Sequence, residues 1–414
     1  MKFLDAIQSE ILLFDGAMST ELMERQLLRA GECAELLNTT RPMDVMDIHQ
    51  GYLDAGANVI TTNTYNANTM KLSQFGLEKR TEELVQSGVA LAREAAMAQK
   101  GPAFVAASVG STGEIYHSDP RMPQRMYNTF YEQCTYSAAA GADLIVIETM
   151  SDIREARLAL LAARASTHLP VLACFTLEPD DNTYAGNPPE VLSLVSYKLG
   201  ASLVGVNCGL MPKELFEGYS RLAGSAAIPT YAAPNAGHNT TERLSPEEMA
   251  EDMLPYLHSG AALIGGCCYT TAAHIRAMRK LLESHHGHAR APKPIGPFIC
   301  SAQKRLNFMD FEEHTPINLK KMTIDEAVEA IIEAAKERSE LQIDFADWSG
   351  ESIRMLLFRL SPSLLKTPLC FHVHAARQAN AALFAYPGIA AVCAESDAYN
   401  VMKAAARYGA EVVN

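Results

Sequence analysis

No run of 18 or more apolar residues occurs in the 414-residue chain, so no segment has the length of a membrane-crossing helix. Long basic runs are missing too. Lys and Arg number 35 against 48 Asp and Glu, a formal net charge of −13. Such a chain repels phosphate backbones and anionic lipid, so neither nucleic acid nor a membrane is an expected partner. The first ten residues include Asp5 and Glu10 and no apolar stretch. No secretory leader is therefore expected, and the expected compartment is the cytoplasm. Glycine-rich loops of the dinucleotide or phosphate type are also lacking. What remains is an ordinary globular composition, 48% hydrophobic and 20% charged. Nine cysteines without an export signal suit a reducing compartment, where metal binding outranks disulfide formation.

Eight short apolar runs, at 11–14, 57–62, 103–109, 143–147, 170–176, 202–206, 229–233 and 261–264, alternate with stretches of helical spacing. Examples of the latter are 79–98, 152–165, 189–199 and 246–259. Gly56, Gly141, Gly200 and Gly260 each stand just before a run, where a helix can end in a left-handed turn. Strands alternating with helices predict a parallel sheet with right-handed crossovers. Eight such units over 1–288 predict an α/β protein with a (β/α)8 TIM barrel. His285-His286-Gly-His288 near its end reads as a solvated helix terminus. Residues 289–297, with three prolines and a glycine, read as a linker. Residues 298–414 predict a smaller, incomplete βα domain with strands at 298–300, 341–345, 369–373, 389–393 and 411–413. Its open sheet calls for a cover, from the main barrel or from a second copy in a homodimer.

Chemistry in such a barrel collects at the carboxyl ends of the strands. Cys208 ends the sixth run, and Cys267 and Cys268 follow the eighth. Three thiolates converging there, with a fourth position open, describe a catalytic zinc site. Packing thiols and a strained vicinal disulfide are the competing readings. Three thiolates around a dication leave one negative charge. A substrate thiol in the fourth place would stay deprotonated and electron-rich, which suits alkyl transfer to sulfur rather than hydrolysis. Glu148, after the uncharged run 144–147, can hold an ammonium group. Asp15 can do the same or order its own turn. Asn63 and Asn235 offer amide groups, and the backbone around Gly16 and Ala17 can receive a carboxylate. An amino acid bearing a thiol would use all of these groups.

The motifs Asp15-Gly-Ala-Met, Gly56-Ala-Asn-Val-Ile-Thr-Thr-Asn-Thr-Tyr65, Ile147-Glu-Thr-Met150, Gly205-Val-Asn-Cys-Gly209, Pro234-Asn-Ala-Gly237 and Gly265-Gly-Cys-Cys268 resemble the homocysteine S-methyltransferase family. The resemblance covers residues 1 to about 285. It implies a zinc barrel that methylates homocysteine to methionine, with Cys208, Cys267 and Cys268 as metal ligands and Glu148 on the amino group. Asp15 and its loop would line the pocket, with Asn235 near the metal. Ser19 stands where the family usually has glycine. Residues 298–414 resemble the start of the folate-binding barrel that follows this module in cobalamin-dependent methionine synthase. The Gly-Glu-Arg-x-Asn entry motif is replaced by Ser301-Ala-Gln-Lys-Arg-Leu-Asn307, so a docking or dimerisation role is expected rather than pterin binding. No Asp-x-His-x-x-Gly cobalamin loop occurs, so the donor must come from outside. Methylcobalamin, free or on a separate corrinoid protein, is the expected donor, with S-methylmethionine or betaine as the alternative. The other functional reading is a non-catalytic assembly subunit that keeps its zinc and binds homocysteine.

Overall fold

The computed structural model describes residues 2–238, 241–285, 287–291, 293–310 and 314–413. Eight parallel strands form the first sheet: β1 (Leu12–Leu13), β2 (Val59–Thr61), β3 (Phe104–Val109), β4 (Leu144–Met150), β5 (Val171–Phe175), β6 (Leu203–Asn207), β7 (Thr230–Ala233) and β8 (Leu263–Ile264). Hydrogen-bonded neighbours run β1-β8-β7-β6-β5-β4-β3-β2. A parallel bridge between Phe14 and Val59 joins β1 to β2 and completes the ring. Asn58 N–H donates to Leu13 O at 2.7 Å, and Asp15 N–H donates to Val59 O at 3.0 Å. Each expected strand is present, and Gly56, Gly141, Gly200 and Gly260 take positive φ before theirs.

Alternate residues face opposite sides of each strand. Leu12, Phe104, Leu144, Leu172 and Leu203 cluster inside the ring with Phe3, Ala6 and Ile7 of the first helix, Phe3–Ser9. Their neighbours Leu13, Val105, Ile145, Ala173 and Val204 pack outward against the helices. Burial on both faces explains why the runs read as continuously apolar. The stretch 246–259 differs from the single helix expected. It divides into Pro246–Asp252 and Leu254–His258, because Pro255 has no N–H to continue the first helix's hydrogen bonds.

His49, on the helix Pro42–Asp54, is fully buried, and neither ring nitrogen has a hydrogen-bond partner. Burial lowers its pKa from 6.5 to about 4. The unfolded chain therefore binds a proton between those values that the folded chain refuses, so stability falls as pH drops. The difference amounts to about 2 kcal/mol between pH 7 and pH 5. In urea denaturation, His49→Phe should lose that much of the pH dependence; an unchanged pH slope would contradict this origin.

The segment after the last barrel helix, Ala272–Ser284, is not a free tether. Arg290 N–H bonds Gly260 O at 2.9 Å, and its guanidinium reaches Ala223 O at 3.2 Å. His286 and Pro292 lie outside the described residues. The second domain corrects the expected strand list. Residues 298–300, as β9 (Phe298–Cys300), pair antiparallel with β10 (Arg305–Asn307). The parallel sheet instead begins with β11 (Ile317–Asn318). It continues through β12 (Leu341–Asp344), β13 (Leu369–Val373), β14 (Ala391–Ala394) and β15 (Glu411–Val413), in that order. An apolar tripeptide is compatible with either pairing, and here the four-residue turn at Ser301–Lys304 decides, with Ser301 N–H donating to Lys304 O at 2.8 Å.

The main barrel covers part of this domain. Arg157, 2% exposed on the barrel helix Ile153–Ser166, donates to Leu383 O and Phe384 O at the end of the helix Ala376–Ala385. A cation meeting the free carbonyls of a helix terminus is favourable in both charge and hydrogen bonding. Burial lowers the Arg157 pKa only to about 10, so it stays charged. The Tyr127 and Phe384 rings pack edge-on beside it, 5.8 Å apart. Among the described residues no helix is long and apolar enough to cross a membrane.

Candidate active site

The carboxyl ends of the barrel strands enclose a cavity of about 230 Å³, lined by Asp15, Thr61, Glu148, Asn207 and the three cysteines among others. Cys208 directly follows β6 and turns back with φ +62°, its N–H bonded to Ala233 O at 3.0 Å. Cys267 N–H bonds Pro234 O at 2.9 Å. Two adjacent loops are thereby pinned to β7, and the sulfurs of Cys208, Cys267 and Cys268 come within 4.8 Å of one another. The Cys208 and Cys268 sulfurs are 3.7 Å apart. All nine cysteines are unpaired by disulfides.

Three thiolates this close repel one another. As thiols alone, the contacts with Cys267 and Cys268 favour the anion on Cys208. That holds its pKa well below the usual thiol value and pushes those of Cys267 and Cys268 up. A shared divalent cation would relieve the repulsion, and three soft sulfur donors suit a zinc-like ion. Asn235, 6% exposed, braces the group. Its side-chain oxygen accepts from Cys268 N–H at 3.1 Å.

Glu148 lies within β4, two residues before its end, rather than after it. The register against β5 shifts between Ile147 and Met150, and Thr149 adopts φ +58°. A bulge of this kind re-aims the side chain beside it. Ser108 Oγ donates to one Glu148 oxygen, and Asn207 Nδ2 approaches the other at 3.4 Å. Burial raises the Glu148 pKa to about 7, and the nearby Cys208 anion adds to the rise.

The remaining expected residues divide. Asp15 borders the cavity, but Thr61 takes both of its oxygens, through N–H at 2.6 Å and Oγ1 at 2.8 Å. Burial raises its pKa to about 8, so it is largely neutral and ties β1 to β2. A Cβ on Gly16 would sit 2.7 Å from Thr270 Oγ1 and 2.8 Å from the Tyr52 ring, so glycine lets the loop pack there. Ala17 N–H faces Thr270, 3.2 Å from its Oγ1 and 3.3 Å from its carbonyl oxygen. Asn63 lines the cavity, yet its amide N–H groups go to Ala34 O and Asn38 Oδ1 at 2.8 and 2.9 Å. Its side chain braces a loop. Reasoning from the sequence missed Ser108, Thr149 and Asn207 as site residues. Each stands at a strand end beside an identified group, and that position was the available signal.

Residues 12–282 match the profile of the homocysteine S-methyltransferase family. Two curated relatives, both named methionine synthase, come from Mycobacterium tuberculosis and Mycobacterium leprae. They are 32% identical over 297 residues and 30% identical over 296. Each alignment covers 66% of this chain but only 25% and 24% of the relatives, so the chain spans about a quarter of their length. Among solved structures, the metallated form of the homocysteine methyltransferase MmuM from Escherichia coli superposes with a TM-score of 0.59 at 26% identity, over 67% of this chain and 98% of that one. Its oxidized form gives 0.58 at 27% identity, over 67% and 97%.

Proposed function

The chain belongs to the homocysteine S-methyltransferase family, and from that premise we propose that residues 1–288 carry a zinc-dependent methyl transfer to the thiol of homocysteine, giving methionine. The observation that best supports this is the meeting of three cysteine sulfurs from two strand ends within 4.8 Å, beside the half-buried Glu148 carboxylate. Cys208, Cys267 and Cys268 would hold the ion. Zinc held there supplies a Lewis acid beside which a substrate thiol loses its proton near neutral pH.

The other groups bind and orient. Glu148 receives the substrate ammonium, and Ser108 and Asn207 fix its two oxygens. An incoming cation favours the charged form of a carboxyl whose pKa is near 7, so Glu148 gives up its proton as substrate binds. Asn235 positions Cys268, and Asp15 orders the mouth through Thr61. In the reaction the homocysteine sulfur bonds the methyl carbon, that carbon leaves its donor, and the thiol proton passes to solvent.

The proposed donor is methylcobalamin, free or on a separate corrinoid protein, with S-methylmethionine or betaine as the alternative; the resemblance of residues 298–414 to the domain that follows this module in cobalamin-dependent methionine synthase favours the first. The test is a screen of purified protein with homocysteine and each donor in turn, reading methionine by mass spectrometry. Methionine from methylcobalamin is the expected result. Methionine from a sulfonium or betaine alone would replace the donor. Homocysteine binding without turnover from any donor would favour the zinc-keeping assembly subunit.

A further inference from the structure

The second domain carries its own group of metal-ligating side chains, and it too lies at the carboxyl ends of parallel strands. Ligands of open α/β sheets bind at that edge. His372 on β13 and Cys393 on β14 are direct partners in the register. Glu395 follows Cys393 by two residues, so all three side chains leave the same face of the sheet. One ligand atom from each lies within 4.8 Å of the other two. The His372 Nδ1 is 2.9 Å from Glu395 Oε1, and the Cys393 sulfur is 3.8 Å from that same oxygen.

The other ring nitrogen is what separates this from a surface ion pair. His372 Nε2 is 2.9 Å from Oε1 of Gln342, a residue 5% exposed. An amide oxygen only accepts, so Nε2 carries a proton, and Nδ1, facing the carboxylate, is the nitrogen left to ligate a cation that displaces its proton. Fixing the far nitrogen of a histidine in this way is the usual outer-shell support of a metal ligand. A ring nitrogen, a carboxylate oxygen and a sulfur then converge on one point, and a cation satisfies all three. Glu395 is the most exposed of them, its side chain 42% exposed, which leaves a fourth position open to solvent.

We propose that His372, Cys393 and Glu395 form a second metal site, for one zinc-class divalent cation, independent of the three-cysteine group. One nitrogen, one sulfur and one oxygen donor suit a borderline-soft ion and not magnesium or calcium, which take oxygen alone.

The test counts metal on the full chain. Protein stripped by chelator is equilibrated with buffered free zinc and the bound ion is measured by elemental analysis. Two zinc ions per chain are expected in the unaltered protein and one in Cys393→Ser. His372→Ala should also hold one, and serves as a second variant if the first fails to fold. Cys208→Ala should hold one, and Cys208→Ala/Cys393→Ser none. In cobalt-loaded Cys208→Ala, a thiolate-to-cobalt absorption band that disappears with Cys393→Ser would identify the sulfur. Equal zinc content in unaltered protein and Cys393→Ser would overturn the proposal. One zinc that survives Cys208→Ala and is lost in Cys393→Ser would sink the barrel reading and leave this one standing.

Discussion

Cys208→Ala is expected to lose the barrel zinc and methyl transfer together. Metal Lewis acids contribute several kcal/mol to a reaction of this type, and losing roughly 4 kcal/mol lowers the rate by about 10³-fold. The substitution should leave the fold nearly untouched. The backbone bond from residue 208 to Ala233 O is kept, and alanine tolerates φ +62° no worse than cysteine does. Cys174→Ala is the matched control. Cys174 is fully buried inside the ring and belongs to the interior cluster, so its loss should cost stability by about 1 kcal/mol while zinc content and turnover persist. Metal analysis, thermal melting and methionine formation on the same preparations separate these outcomes. Full turnover from Cys208→Ala would remove the ground for a thiolate-held ion.

The barrel was legible because its strands are buried on both faces and its connections end in glycine. Leu203–Asn207 and Val171–Phe175 need no partner information to read as buried strands. The three cysteines were legible for a related reason, since they interrupt apolar runs where polar groups have no structural call. Contacts across the ring were not. Ser108 reaches Glu148 from the neighbouring strand, and Asn207 reaches it from β6. Those strands lie some 40 and 59 residues away along the chain, and sequence spacing carries no trace of either contact. Asn63 shows the converse. Its place in a polar strand-end motif suggested a ligand, but its donors are consumed by Asn38 and Ala34, which only the folded loop brings near. In the second domain, β11 spans two residues and β10 is largely exposed. Neither has the apolar length that marks a strand, so the antiparallel pairing of β9 could not be anticipated.

Glu148→Gln should separate substrate recognition from metal binding. A hydrogen bond between a carboxylate and an ammonium contributes about 1.5–3 kcal/mol. Its loss should lower kcat/KM for homocysteine by roughly 10- to 150-fold, mostly through KM, with zinc content unchanged. The pH profile supplies a second readout. The Glu148 pKa is raised to about 7 by burial, so below that pH the carboxyl is increasingly neutral and holds an ammonium less well. Homocysteine affinity should therefore fall more steeply as pH drops through 7 in the unaltered protein than in the glutamine variant, which keeps only the dependence set by the substrate thiol proton. The third readout is 4-mercaptobutyrate, which keeps the thiol and carboxylate of homocysteine but has no amino group. If Glu148 acts on the ammonium, this thiol should be methylated with nearly equal kcat/KM by both proteins. If the variant loses as much toward 4-mercaptobutyrate as toward homocysteine, Glu148 acts through the cysteine cluster or the fold, and the ammonium contact is wrong.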